Sequence, residues 1–406
     1  MESLLISLIQ SPEDTSMARI SYLSHTRCLE ILKGFCSCKS RRVARKPDKP
    51  VILYGAGNLG KLAKGYFNHL GIPVLMILDR QNKLYQNDPY WKKVNILHPD
   101  DCPVNFRKSC LTCVCIVTAP YLEIKSHLTS IGFKDVIHFY DITESYKDLH
   151  PLNNGWLSGP LSSVDLEMIS YVFERLEDDI SRAHYLQFLA WRVDRKEISF
   201  DWAPINPQNR YFIDEVARII KDNEVFLDGG ACHGKVLNDF INLTNGRFAK
   251  IFAVEPDPGN LRELEANIPI LYRNKVEILP FVLGEEESYR HFWGGFGQTS
   301  RLDEACGEKV KVVSIDTLGL NPSYVKLHLE GNELSSLIGA KKTLVSHRPI
   351  IAATVYHNHS GIWKTQKWLM DNLQNYRFFM RLHCWCGTGA VIYAVPKERI
   401  LNGSSY

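Results

Sequence analysis

Twice along this chain a short apolar run breaks into a glycine-rich turn and then into helical periodicity. The first is Val51-Ile52-Leu53-Tyr54-Gly55-Ala56-Gly57-Asn58-Leu59-Gly60. The second is Val225-Phe226-Leu227-Asp228-Gly229-Gly230-Ala231-Cys232-His233-Gly234. A buried strand that enters a tight glycine turn and leaves as a helix opens a parallel α/β sheet. Two such openings, far apart in a chain of 406 residues, predict two sheets with two cores.

The segments around them fit that reading. Residues 48–148 alternate strand and helix, with strands expected at 51–54, 74–78, 113–118 and 136–137, and Asp79 closing the second. Residues 211–406 form a longer series, with strands expected at 225–227, 251–254, 276–283, 310–315, 325–329 and 350–355. The runs 376–385 and 391–395 flank Gly387-Thr388-Gly389 and read as a closing hairpin. Between the two series, residues 149–210 read as a helical connector: Leu166, Ile169, Tyr171, Val172 and Leu176 make an apolar face opposite Glu174, Glu177 and Asp178. Residues 1–47 read as a helical lead-in ending in the basic stretch Lys39-Ser40-Arg41-Arg42 to Lys46, either a solvated linker or a contact with an anionic surface.

Composition narrows the function classes. A formal charge of +3 gives no basic face for nucleic acid. No run of about 18 apolar residues predicts a transmembrane helix, and residues 1–10 carry an early Glu2 and no basic start, a poor signal peptide. Eleven cysteines, several within apolar strands, read as reduced thiols in a cytoplasmic protein. Cys110, Cys113 and Cys115 read as small buried hydrophobes. Neither Cys384 with Cys386 nor His357 with His359 and His383 makes a convincing metal set, so no metal is expected.

Four places carry chemistry in the second series. At Asp228-Gly229-Gly230-Ala231, and on to Gly234, the glycines let backbone approach a ligand, and the next helix start presents unpaired N–H groups to an anion. One unit later Phe252-Ala253-Val254-Glu255-Pro256-Asp257 ends a strand in a carboxylate able to accept both hydroxyls of a ribose, at the usual spacing of about 20 residues; Asn260 beyond it reads as surface or cap. In Lys326-Leu327-His328-Leu329-Glu330, period two puts the three polar residues on one strand face. His357, in Val355-Tyr356-His357, stands at the next strand end as a general-base candidate.

Taken in order, these pieces resemble the FkbM family of S-adenosylmethionine-dependent methyltransferases. The resemblance runs over nearly the whole of 211–396 and includes Ser314-Ile315-Asp316-Thr317-Leu318, Glu330-Gly331-Asn332-Glu333, Gly339-Ala340, Arg348-Pro349 and Tyr356-His357. It implies a seven-stranded class I methyltransferase (Rossmann-like) sheet, preceded here by a smaller Rossmann-like α/β domain. It further implies methylation of a hydroxyl on a carbohydrate or glycosylated acceptor. Asp228, Gly229, Gly230, Ala231, Gly234, Glu255, Pro256 and Asp257 would then hold the donor, with its methionine carboxylate at the helix start and its ribose on Glu255. His357, then His328, then Glu330 are the candidates for taking the acceptor's proton. One departure stands out: the family usually carries aspartate where this chain has His328.

The front turn, with Gly55, Gly57, Gly60 and Asp79, has the strand–turn–helix context of a dinucleotide site, and a nucleotide or nucleotide sugar is the expected ligand. Two other readings compete with methyl transfer. One is a catalytically silent fold that binds S-adenosylmethionine or a nucleotide sugar in glycan assembly, which His328 favours. The other is a nicotinamide-dependent oxidoreductase run by the front domain. The sequence leaves monomer and homo-oligomer both open.

Overall fold

The computed structural model describes residues 18–20, 30–32, 34, 44–92, 94–293, 301–302 and 308–401. The described chain falls into two compact units. One takes residues within Met1–Ser162, Leu186–Ile205 and Cys384–Thr388; the other takes Ser163–Tyr185, Asn206–His383 and Gly389–Tyr406. The segment 149–210 is thus shared between them. Of the expected lead-in helix, residues 30–32 and 34 are helical, Ala18–Ile20 is instead a strand paired in parallel with Ile198–Phe200, and Lys39 to Arg42 lie outside the described residues. At its end Arg45 forks onto Asp135 with two bonds of 2.8 Å.

The first unit is built on a parallel five-stranded sheet. Its strands are β1 (Val51–Tyr54), β2 (Val74–Leu78), β3 (Ile96–Leu97), β4 (Leu111–Val114) and β5 (Val136–His138), in the order β3-β2-β1-β4-β5. All four residues of β1 are buried, as a central parallel strand requires. The turn after β1 leads into α1 (Asn58–His69). Gly60 is needed there because a Cβ would stand 2.0 Å from the Gly55 carbonyl oxygen. The strand expected at 113–118 begins at Leu111 and ends at Val114, so the apolar residues after it form loop.

The second unit carries a seven-stranded mixed sheet. Its strands are β6 (Val225–Gly229), β7 (Lys250–Val254), β8 (Val276–Leu279), β9 (Tyr324–Leu327), β10 (Ile350–Thr354), β11 (Tyr376–Leu382) and β12 (Ala390–Pro396). The order is β8-β7-β6-β9-β10-β12-β11. Only β12 runs opposite to the other six strands, as the closing hairpin demands. This is the doubly wound arrangement expected from the sequence. Sheet order reverses between β6 and β9, and the crevice of such a sheet opens at that switch point.

Aromatic packing anchors the first helix of this unit to the sheet. Helix α2 (Lys235–Leu243) buries Leu237, Phe240 and Ile241. The Phe240 ring stacks on Phe226 of β6 at 4.6 Å, and both are fully buried. Each such ring contributes roughly 1.5–3 kcal/mol of burial.

Two strand expectations are corrected. The run 276–283 is split: β8 stops at Leu279, and Val282–Leu283 joins a separate four-stranded sheet. Pro280 lies at the break and has no N–H to continue the ladder. The run expected at 310–315 is Glu308–Val313, which belongs to that same small sheet and not to the main one.

Candidate functional site

The site lies at the carboxyl ends of β6, β7 and β9. Its first part is the turn after β6. Gly230 has φ 75°, and a Cβ there would stand 2.1 Å from the His328 carbonyl oxygen, so the turn fits against the end of β9 only with glycine. The Gly230 and Ala231 N–H groups donate to the Val254 carbonyl at 2.9 and 3.0 Å. Helix α2 then starts from Gly234, at φ 81°, with no side chain capping it. Its first N–H groups are left for an anion to cap.

Glu255 joins the turns after β6 and β7. One carboxylate oxygen accepts the Cys232 N–H at 2.8 Å. The other accepts the Asp257 N–H at 2.9 Å and the Asn260 amide at 3.2 Å. Burial raises its pKa above the ordinary glutamate value, against the pull of those three bonds. Asn260 is therefore buried beside the site and holds its carboxylate, contrary to the surface or cap role expected. Asp257 itself caps α3 (Pro258–Asn267) through Gly259 and Asn260.

Lys326 of β9 stands next to the glycine turn. Its Nζ donates to Asp228 at 2.8 Å and to the Gly229 and Gly230 carbonyls at 3.1 and 2.8 Å. Lys326 is 1% exposed and Asp228 0%. Burial alone would lower the lysine pKa; the charge of Asp228 outweighs it, and the net shift is upward. Among the described residues the second Asp228 oxygen has no hydrogen-bond partner.

Beyond β9 the chain departs from the expected alternation. His328 still donates its N–H to the Gly229 carbonyl at 3.0 Å, but Glu330 takes φ 50° and turns out of the strand. Glu330 consequently faces back toward His328, with its Oε1 3.2 Å from His328 Nε2 and 3.4 Å from His357 Nε2. His357 Nδ1 lies 2.9 Å from Glu333 Oε1. Glu333 also accepts from Leu329 N–H, Gly331 N–H and the Thr354 hydroxyl. His328 Nδ1 lies 2.7 Å from the hydroxyl of Tyr211, whose ring also lies under the Lys326 ammonium. The Tyr356 hydroxyl is 3.2 Å from His328 Nε2.

The two histidines differ in charge. Burial would lower His357, but Glu330 and Glu333 overcome it and push the imidazole up to about 10. Burial prevails at His328 and brings it down to about 4, despite Glu330. Burial would raise Glu330, yet the charge of His357 and the bonds from both rings hold it well below the usual carboxylate range.

These elements enclose a cleft of about 510 Å³. Gly230, Ala231, Glu255 and Pro256 line one side; Lys326, His328 and Glu330 line another. Asp228, Gly229, Gly234, Asp257 and His357 stand behind this wall and support it. Sequence reasoning missed the parts of Lys326, Tyr211 and Glu333. Lys326 and Glu333 lie in motifs already singled out; nothing near Tyr211 signals its role.

In the first unit Gly55 has φ 114°, and Asp79 spends its carboxylate on Ala56 N–H at 2.8 Å and Gln81 N–H at 2.7 Å. Among the described residues all seven cysteines are free thiols, and no helix is long and apolar enough to cross a membrane. His359 and His383 do not join His357 in a cluster of metal-binding atoms.

Comparison with known proteins bears on the family and the fold. Residues 228–381 fit the family model of the methyltransferase FkbM domain. No curated protein sequence matches the chain at a significant level. Among solved structures, the chain is similar in fold to the methyltransferase FkbM of Methylobacillus flagellatus KT, at 16% identity and a TM-score of 0.61, over 95% of this chain and 100% of that one. A precorrin-6y C5,15-methyltransferase of Geobacter metallireducens GS-15 matches at 15% identity over 48% of this chain and 95% of that one, with a TM-score of 0.29, too low to argue from. The glycine turn and the Glu255 clamp lie within the matched segment, so residues 228–381 of this chain carry a methyltransferase FkbM domain.

Proposed function

We propose that the second unit transfers a methyl group from S-adenosylmethionine to a hydroxyl of a carbohydrate or glycosylated acceptor. The observation that carries this is the two-sided cleft. Its glycine-turn side offers uncapped N–H groups and the Glu255 carboxylate, which suit the carboxylate and ribose of the donor. Its other side offers His328 and Glu330, which suit a hydroxyl that must lose a proton.

The bound donor supplies a sulfonium methyl: the carbon–sulfur bond breaks with its electron pair going to sulfur as the new carbon–oxygen bond forms. The chain's own task is alignment and proton removal. Lys326 fixes the turn by holding Gly229 and Gly230. The acceptor proton passes to the His328–Glu330 pair on the cleft wall. His357, buried behind them and held by Glu333, positions Glu330. Asp228 acts on the donor side through Lys326, because the ammonium stands between it and the cleft. A nucleotide or nucleotide sugar at the front turn, expected from the sequence, gains no support from this geometry, and the proposed function does not include it.

The test is transfer of labelled methyl from donor to a panel of glycans and glycosylated small molecules, with the product linkage read by mass spectrometry and NMR. Methyl ethers on sugar hydroxyls are expected, lost in Glu330→Gln. Donor binding without transfer across the panel would point instead to a silent binder, and methylation at nitrogen would remove the hydroxyl assignment.

A further inference from the structure

We infer that His328, Glu330 and His357 form a binding site for one divalent transition-metal ion, of the manganese or zinc class, at the acceptor side of the cleft.

The three residues each offer one ligand atom, and these atoms lie within 4.8 Å of one another. The finer spacing is more telling. Ligands about 2.1 Å from an ion, at tetrahedral or octahedral angles, stand roughly 3.0–3.4 Å apart. Glu330 Oε1 is 3.2 Å from His328 Nε2 and 3.4 Å from His357 Nε2. Both pairs already have the separation of neighbours around one ion.

Independent support comes from the other ring nitrogens. Metal-bound histidines almost always have the non-ligating nitrogen held by a carboxylate, carbonyl or similar group. Here His357 Nδ1 is held by Glu333 at 2.9 Å, and His328 Nδ1 by the Tyr211 hydroxyl at 2.7 Å. Each ring is therefore fixed with Nε2 toward Glu330. Glu333 is itself held by two backbone N–H groups and Thr354, so the outer support is rigid. The Tyr356 hydroxyl, 3.2 Å from His328 Nε2, must yield to the ion.

The donor set decides the ion class. Two imidazoles and one carboxylate suit zinc, manganese or ferrous iron, whereas magnesium and calcium prefer oxygen donors. Three protein ligands leave positions open, and His328 and Glu330 face the cleft, so the open side is within reach of an acceptor oxygen. For that role the inference rests on the proposed function: an ion there would hold the acceptor hydroxyl and make it acidic, in place of proton uptake by His328, with the proton released to cleft solvent.

The experiment is a titration of the full chain, first dialysed against EDTA. MnCl2 binding is followed by the loss of the free-ion EPR signal, and ZnCl2, MgCl2 and CaCl2 binding by calorimetry. One Mn2+ or Zn2+ per chain is expected, with Mg2+ and Ca2+ at least tenfold weaker. His328→Ala and Glu330→Gln should each weaken Mn2+ by tenfold or more, and Glu333→Gln by about 10–100-fold, the usual effect of losing an outer partner. His359→Ala, exposed and outside the cluster, should leave binding unchanged. Circular dichroism melts check that each variant folds. His328→Asp keeps a ligand in place and should shift preference toward Mg2+, which reads the site even if the alanine variant unfolds.

The inference is overturned if no saturable one-to-one binding occurs, or if Glu330→Gln and His328→Asp bind all four ions as the parent does. Metal binding is read without an acceptor, so the two proposals fail separately. A chain that binds Mn2+ but methylates nothing loses only the proposed function. Undiminished transfer in EDTA, with no Mn2+ binding, removes only the metal.

Discussion

Replacing Lys326 by methionine tests whether the donor side of the cleft is held by the charge pair beneath it. Methionine keeps most of the side-chain length and removes three donated bonds at once. The Asp228 carboxylate would then be fully buried, with one oxygen newly orphaned and the other already without a partner. The Gly229 and Gly230 carbonyls would lose their shared donor as well. Removing one partner of a buried ion pair costs about 3–5 kcal/mol, chiefly because the remaining charge is uncompensated. With a urea dependence of about 2–3 kcal/mol per molar, that is a fall of about 1–2.5 M in the unfolding midpoint. The double variant K326M/D228N removes the stranded charge and should recover about 1–3 kcal/mol of the loss, the range of coupling between contacting residues. Urea unfolding followed by circular dichroism gives the midpoint. Binding of S-adenosylhomocysteine along the same titration reports the second unit by itself and should weaken at least tenfold in K326M, because the turn is no longer held. A single variant within 0.5 M of the parent, or a double variant no more stable than the single one, would refute the reasoning.

The other predictions are shorter. Gly230→Ala places a side chain at φ 75° and 2.1 Å from the His328 carbonyl. The backbone conformation alone costs about 1–2 kcal/mol, so a thermal-melt loss larger than that is expected, together with loss of donor binding. Phe240→Ala removes a fully buried ring stacked on Phe226 and should cost about 3–5 kcal/mol in urea unfolding. Glu255→Gln should weaken donor binding about 10–100-fold in calorimetry, the worth of hydrogen bonds to a charged group. Burial raises the Glu255 pKa above its ordinary value, and ribose hydroxyls bind the ionised carboxylate, so parent donor affinity should be full at neutral pH and decline with acid sooner than for an exposed glutamate. An identical acid limb in Glu255→Gln would contradict that assignment.

The parts of the fold that could be read in advance are those written in local pattern. A continuous apolar run into a glycine turn, as at 51–60 and 225–234, can bury both faces only in a parallel sheet, and both sheets are there. The boundary errors came where local pattern underdetermines pairing. Residues 310–312 are as strand-like as any in the chain, yet they pair with 288–290, in an antiparallel ladder that no period reveals. The expectation of one strand over 276–283 passes over Pro280; its missing N–H says where a ladder ends, though not which sheet the chain joins next.

The site divides along the same line. Residues that act through backbone geometry, such as Gly230 and Gly234, are visible because only glycine tolerates their φ. Residues that act by meeting a distant partner are visible only as residue types. Period two placed Lys326, His328 and Glu330 on a common face, and all three do reach one cleft, but for different reasons: Lys326 reaches inward to Asp228, while Glu330 gets there through a left-handed turn that breaks the alternation. That turn is what brings its carboxylate back between two histidines 29 residues apart in sequence, since 357 − 328 = 29. A histidine at 328 therefore means little in the sequence. Set between Tyr211, Glu330 and the stacked ring of His357 at 5.0 Å, it becomes a nitrogen donor with a fixed direction. Under the proposed metal site, histidine in place of the family's usual aspartate changes the ion the cleft binds and does not simply remove an acid.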